Sequence, residues 1–175
     1  MSMKRIHKDQ RGLTIIELLV VIVLTALITT AVTTTFFQVF NMNIRTTNHM
    51  SAISQVQQAG KIVSQDILQA ENATAVGGLN PLLTLIWTEI DGETEYSYEI
   101  TYSVGDNELW RSETIDGGAP TMTRVAEYID QDPTKTSCEK QGTVLIFTVT
   151  ATVGEGTWGE ESETRIYRVQ PRPGT

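Results

Sequence analysis

The chain has 175 residues, a formal net charge of −8 and one cysteine. That length has room for one domain of ordinary size, the acidic balance argues against nonspecific or direct nucleic-acid binding, and a lone cysteine excludes an intrachain disulfide. The charge is unevenly placed: residues 1–12 carry net +3, from Lys4, Arg5, Lys8 and Arg11 against Asp9, and the other 163 residues carry −11.

From Leu18 to Ile44 there is no Asp, Glu, Lys, Arg or His. As a helix this run measures about 40 Å, enough to cross a hydrocarbon core of about 30 Å. Five threonines between Thr29 and Thr35 dilute its later half, but a helical Thr returns its hydroxyl to its own backbone, so the signal is weakened and not cancelled. The most apolar part is Leu13 to about Phe37. Basic residues before it and acidic residues after it place the amino end in the cytoplasm and the rest of the chain outside. A secretory signal peptide also starts basic and turns apolar, but this run exceeds a usual h-region and ends in no Ala-x-Ala site. A plain single-pass anchor stays open on hydropathy alone. Glu17, a carboxylate at the start of an apolar helix, is the residue that asks for more.

The run Gly12-Leu13-Thr14-Ile15-Ile16-Glu17-Leu18-Leu19-Val20, behind a basic leader, resembles the prepilin signal of type IV pilins and type II secretion pseudopilins. The resemblance implies cleavage between Gly12 and Leu13 by a membrane prepilin peptidase, N-methylation of Leu13, and retention of the apolar helix. It also implies an assembly role for Glu17, which would meet the terminal amine of a neighbouring subunit. Leu13 and Glu17 stand at an i, i+4 spacing, one helical turn apart. Leu13 stands where an aromatic first residue is common and Ile15 where Leu is common. No proline interrupts Leu13–Asn80, so the proline-associated kink of many major pilins is not encoded.

Further along, Ile53, Val56, Gly60, Val63, Ile67, Ala70 and Thr74 recur at steps of three and four, with Gln55, Gln58, Lys61, Gln65, Asp66 and Glu71 on the polar side. The spacing predicts that the helix continues to about Ala75, with one face laid on a sheet. A free coiled coil is the weaker alternative. Gly77-Gly78 and Pro81 mark the stop.

Past Pro81 the composition shifts to Thr, Val, Ile, Tyr and Trp. Strands are expected at Leu82–Thr88, Glu95–Val104, Glu108–Glu113, Val144–Val153 and Glu163–Val169. Turns fall at Asp91-Gly92, Gly105-Asp106-Asn107 and Asp116-Gly117-Gly118. Thr123–Ile129 fits a strand or a short helix, and Asp130–Gly142 is expected to be a polar connection containing Cys138. The fold class is therefore α+β and pilin-like: a long N-terminal hydrophobic α-helix packed in its C-terminal half on an antiparallel β-sheet of four to six strands. The expected organisation is leader 1–12, transmembrane and filament-core helix 13–40, amphipathic continuation 41–79, β-rich head 80–170 and tail 171–175.

No catalytic constellation stands out. His7 falls in the leader, His49 on the stalk helix, and Cys138 has no marked histidine partner, so no enzyme activity and no cofactor are expected. Asp106, Glu108, Asp116, Asp130 and Asp132 raise a calcium question, answered more simply by solvated acidic loops. Trp87 and Trp110 fit sheet packing; Trp158, among glycines and acids, fits a surface loop. The resemblance extends to a minor pseudopilin of the J type or a related minor pilin, through Val63–Ala70 and the β-rich region after it. It implies as partners the prepilin peptidase, other pilin or pseudopilin subunits and an inner-membrane assembly platform with a cytoplasmic ATPase. The location it implies is the inner membrane, with the head periplasmic or extracellular, and then the pilus or pseudopilus. A membrane-tethered adhesion or ligand-binding protein is the alternative.

Overall fold

A computed structural model of the chain describes residues 14–154, 156 and 158–173. Among them are one helix, α1 (Ile15–Gln69), and eight strands: β1 (Asn72–Ala75), β2 (Leu83–Asp91), β3 (Thr94–Gly105), β4 (Glu108–Ile115), β5 (Thr121–Glu127), β6 (Ser137–Gln141), β7 (Val144–Val153) and β8 (Glu161–Val169). The chain divides into two compact units at residues 42 and 43.

In the first unit, α1 has every described residue exposed. The helix holds itself together by local bonds. Thr25 donates its hydroxyl to the Val21 carbonyl at 2.7 Å, Thr30 to Ala26 at 2.8 Å, and Thr34 and Thr35 to Thr30 and Ala31 at 2.9 Å. Each threonine thus hides its polar atom against its own backbone and presents a methyl group outward. Phe36 and Phe40 meet one turn apart, with ring centroids 5.3 Å from each other. The helix runs through the threonine-rich stretch without a break, as the lack of proline predicts.

In the second unit, the rest of α1 buries Ala52, Val56, Ala59, Gly60, Val63, Asp66 and Ile67. The predicted stripe is present, shifted so that Ala52 and Ala59 join it and Ile53 lies half-buried at its margin. Each fully buried Val or Ile stabilises by about 1.5–3 kcal/mol. Their partners are Leu83, Leu85, Ile100, Tyr102 and Leu109 from one sheet and Leu145, Phe147 and Val149 from another, all in one core. Gly60 is required by contact. A Cβ there would lie 1.9 Å from the Tyr167 ring, whose hydroxyl donates to the Val56 carbonyl at 3.0 Å.

The helix ends at Gln69, not near Ala75. Its last turn tightens as the Ala70 amide donates to both Asp66 and Ile67 carbonyls, and β1 then pairs antiparallel with β2. Residues 72–75 alternate, with Ala73 alone buried. Ala70 and Thr74 fit the helical spacing although the helix has already ended and Thr74 lies in β1, so the periodicity overruns the helix by about six residues, nearly two turns.

The strands form two antiparallel sheets, a five-stranded one in the order β1-β2-β3-β4-β5 and a three-stranded one in the order β6-β7-β8. The single sheet expected from the sequence is corrected to two. Thr123–Ile129, left open above, is strand through Glu127. At Tyr128 (φ 60°) the chain leaves the first sheet for the edge of β7, where Thr152 donates to the Tyr128 carbonyl at 2.8 Å and Asp130 to the Thr150 carbonyl at 2.9 Å. A bulky residue tolerates positive φ only where its surroundings fix it. These bonds do so. The polar connection 130–142 is also corrected: it contains β6, which buries only Cys138 and turns into β7 through Gly142 (φ 64°). The β3–β4 hairpin closes as expected, on Asp106 (φ 55°) and Asn107 (φ 59°).

A single long N-terminal helix packed in its C-terminal part on antiparallel sheet is the pilin-like α+β arrangement.

Candidate assembly site and the polar groups of the head

Thr14 is the N-cap of α1 and Glu17 its N3 residue. The Thr14 amide donates to Glu17 Oε2 at 2.9 Å, the Thr14 hydroxyl donates to the same oxygen at 2.9 Å, and the Glu17 amide donates to Thr14 Oγ1 at 3.3 Å. This reciprocal capping box satisfies orphan donors of the first turn, and it holds a carboxylate where the positive end of the helix dipole favours one. The sequence carries the signal for this box as Thr-x-x-Glu ahead of an apolar run, in addition to the Leu13–Glu17 spacing. Gly12 and Leu13 lie outside the described residues.

Among the described residues α1 is the one helix long and apolar enough to cross a membrane, and its most apolar window has no buried residue. A helix of that length and composition is consistent with a single membrane-spanning or signal-like segment.

The head holds a polar cluster around Asp66, which the sequence reading put on the polar side of the helix. Asp66, on the buried face of α1, accepts from the Tyr102 hydroxyl at 2.5 Å and from Arg111 Nε at 2.7 Å, and Arg111 reaches Glu113 at 2.9 Å. Burial pushes the Tyr102 hydroxyl far above the usual phenol range, and the Asp66 charge adds to it. For Arg111, burial works downward, but the bonds to Asp66 and Glu113 outweigh it and hold the guanidinium charged. The cluster ties the helix to β3 and β4 by directional bonds. Each member of the cluster is engaged by another, so it acts as a structural network.

The acidic residues weighed for calcium are dispersed. Asp106 lies in the β3–β4 turn. Glu108 and Asp116 stand at opposite ends of β4, the first paired with Arg124 at 2.7 Å, the second accepting from the Ser97 amide at 2.8 Å. Asp130 is paired with Lys135 at 2.7 Å beside a polar cleft of about 260 Å³ that Tyr128 and Glu160 also line. Asp132 accepts from the Thr134 amide and hydroxyl, which lowers its pKa. Among the described residues there is no group of three His, Cys, Asp or Glu positioned for a metal.

His49 is exposed on α1. Cys138 is fully buried in β6 and burial pushes its thiol up to about 12, so it stays protonated and unreactive at neutral pH. Trp87 is buried and stacks on Tyr98 with centroids 5.5 Å apart, Trp110 is half-buried in β4, and Trp158 is exposed. The tryptophans therefore divide as the sequence expects.

Comparison with known proteins adds one finding at the amino end. Residues 7–33 match the family described as the prokaryotic N-terminal methylation motif. No curated protein and no solved structure matches the chain. A prepilin-like methylation motif, followed by a long helix packed in its later part on antiparallel sheet, agrees with the pilin and pseudopilin superfamily in general.

Proposed function

We propose that this chain is a structural subunit, of the minor class, in a type IV pilus or a type II secretion-like pseudopilus. The observation that carries the reading is a coincidence of place: the methylation motif covers residues 7–33, and the described part of the helix in that span is capped, apolar and exposed. In this reading residues 1–12 are a leader removed by prepilin peptidase, Leu13 becomes an N-methylated terminus, and residues 13–40 serve first as a membrane span and then as filament core. The head faces the periplasm or the cell exterior. Assembly draws on other pilin or pseudopilin subunits and on an inner-membrane platform with a cytoplasmic ATPase.

Glu17 has two successive partners in this scheme. Before assembly Thr14 holds its carboxylate; in the filament the terminal amine of a neighbouring subunit replaces Thr14. A charged pair in an apolar bundle selects register, because a slipped helix would leave both charges unpaired at a cost of about 3–5 kcal/mol. The J-type assignment rests on sequence resemblance over Val63–Ala70 and on the long β-rich region after it.

Two variants, expressed with prepilin peptidase, test the reading. Gly12→Ala should block cleavage, so that mass spectrometry finds the leader still attached. Glu17→Ala should be cleaved but excluded from filaments. Normal processing and normal filament entry in both would replace the filament reading with that of a membrane-tethered adhesion or ligand-binding protein.

A further inference from the structure

Trp158 is 93% exposed, more than any other large apolar residue among those described. It lies between β7 and β8, and described residues beside it are fastened. Gly159, the next residue, is buried against α1: a Cβ on it would lie 2.6 Å from Ile44 Cγ2 and 3.3 Å from Asn48 Nδ2. Asn48 Nδ2 donates to the Gly159 carbonyl at 2.7 Å, and the Gly156 amide donates to Glu160 Oε2 at 3.0 Å. The backbone beside the tryptophan is thus held to α1 at residues 44–48, while the indole itself is left uncovered.

The place of that attachment gives the exposure a meaning. Ile44 is the last residue of the charge-free run and Arg45 the first charge after it. The run from Leu18 to Ile44 measures about 40 Å as a helix, close to the roughly 40–45 Å of a bilayer with its headgroup layers. Residues 44–48 therefore come level with headgroups when the run is inserted, and tryptophan is the side chain that layer favours, because its ring is apolar and its N–H can meet a polar partner. Glu160, Glu161 and Glu163 stand nearby in sequence and disfavour a strongly anionic surface, so a zwitterionic one is the better fit.

We propose that Trp158 is a membrane-interface anchor: while α1 is inserted, its indole lies in the headgroup layer of the leaflet facing the head. This rests on the membrane reading under Proposed function. The anchor holds the β7–β8 end of the head at the bilayer surface until the helix leaves it.

The test uses the full chain in phosphatidylcholine vesicles carrying spin-labelled lipids, with the label either near the headgroup or deep in the acyl chains. Tryptophan emission of the parent should be quenched more by the shallow label than by the deep one, and Trp158→Ser should lose that shallow quenching. Trp87 is buried and Trp110 half-buried in sheet, so neither supplies it. The depth profile of the parent decides independently of how the variant folds. A chain that resists carbonate extraction yet shows equal quenching in parent and variant overturns the anchor and leaves the membrane reading standing. Release of the chain by carbonate overturns both. Blue-shifted Trp158 emission without lipid quenching, fading as lipid dilutes the protein, overturns the anchor in favour of a neighbouring subunit.

Discussion

The two stretches of α1 are one helix by backbone and two objects by environment. Residues 15–42 expose Ile, Leu, Val and Phe on all sides, with threonine hydroxyls such as that of Thr25 turned back on the helix; residues 43–69 bury one narrow face and expose a mostly polar remainder, with Ile44, Met50 and Leu68 among it. Hydrogen bonds are satisfied in both, so secondary structure alone does not distinguish them. What distinguishes them is where the apolar surface goes. The second stretch buries its apolar face within its own chain, whereas the described residues of the first leave theirs exposed, which suits the membrane and filament reading proposed above. Changes in the head should therefore appear in its cooperative unfolding, and changes in the first stretch should not.

The largest expected effect is at Asp66. Asp66→Ala strands the Arg111 charge and the Tyr102 hydroxyl, and should destabilise the head by about 3 kcal/mol in denaturant titration of the full chain in detergent. A loss below about 1 kcal/mol would mean that the cluster does not fasten helix to sheet. Gly60→Ala should follow, at about 1–3 kcal/mol, because the added methyl enters the Tyr167 ring. Combining it with Tyr167→Ala should give less than the sum of the two losses, and simple additivity would disprove the contact.

Alkali sharpens the same contrast. Cys138 is raised from 9.0 to about 12 in the folded head. A raised folded value means that the contribution is whole below the unfolded pKa and is lost as pH climbs toward the folded one. Between pH 9 and 12 the head should lose stability by about 1 kcal/mol per pH unit from this thiol. Tyr102, raised for the same reason, adds to the loss once pH passes its ordinary value of 10.0. Melting curves of Cys138→Ala should fall less steeply with pH than those of the parent; identical slopes would remove burial of the thiol as the cause. The smallest effect belongs to the first stretch. Thr14→Ala removes the cap at a cost of about 1 kcal/mol to the first turn, seen as faster amide exchange there, with the melting of the head unchanged.

Much of this was legible before any coordinates. The apolar run, the stripe on α1, the hairpin at Asp106-Asn107 and the alternation of β3 and β7 are all local patterns, and each was placed within a few residues. The failures share a cause. β1 and β6 carry one small inward residue apiece, Ala73 and Cys138, too little contrast to mark a strand. Division into two sheets depends on the crossing at Tyr128, which pairs residues far apart in sequence. Asp66 precedes Ile67 on the apolar stripe, and its burial is intelligible only beside Arg111, 45 residues later. At the amino end, the charge of Glu17 stands out in the sequence against its apolar neighbours, whereas its partner Thr14 is marked only by the three-residue spacing of a capping box.

The bonds between α1 and the sheets have a mechanical consequence. They are distributed along the helix: Asn48 to Gly159, Gln55 to the Glu127 amide, the Val56 carbonyl to Tyr167, and Asp66 to Arg111 and Tyr102. From Asn48 to Asp66 is about 27 Å of helix. Tension applied along the helix axis loads these attachments together, in shear, instead of opening them one after another from an end. The head is joined to its helix like a splint tied at several points, so a pull on the helix is shared among the ties.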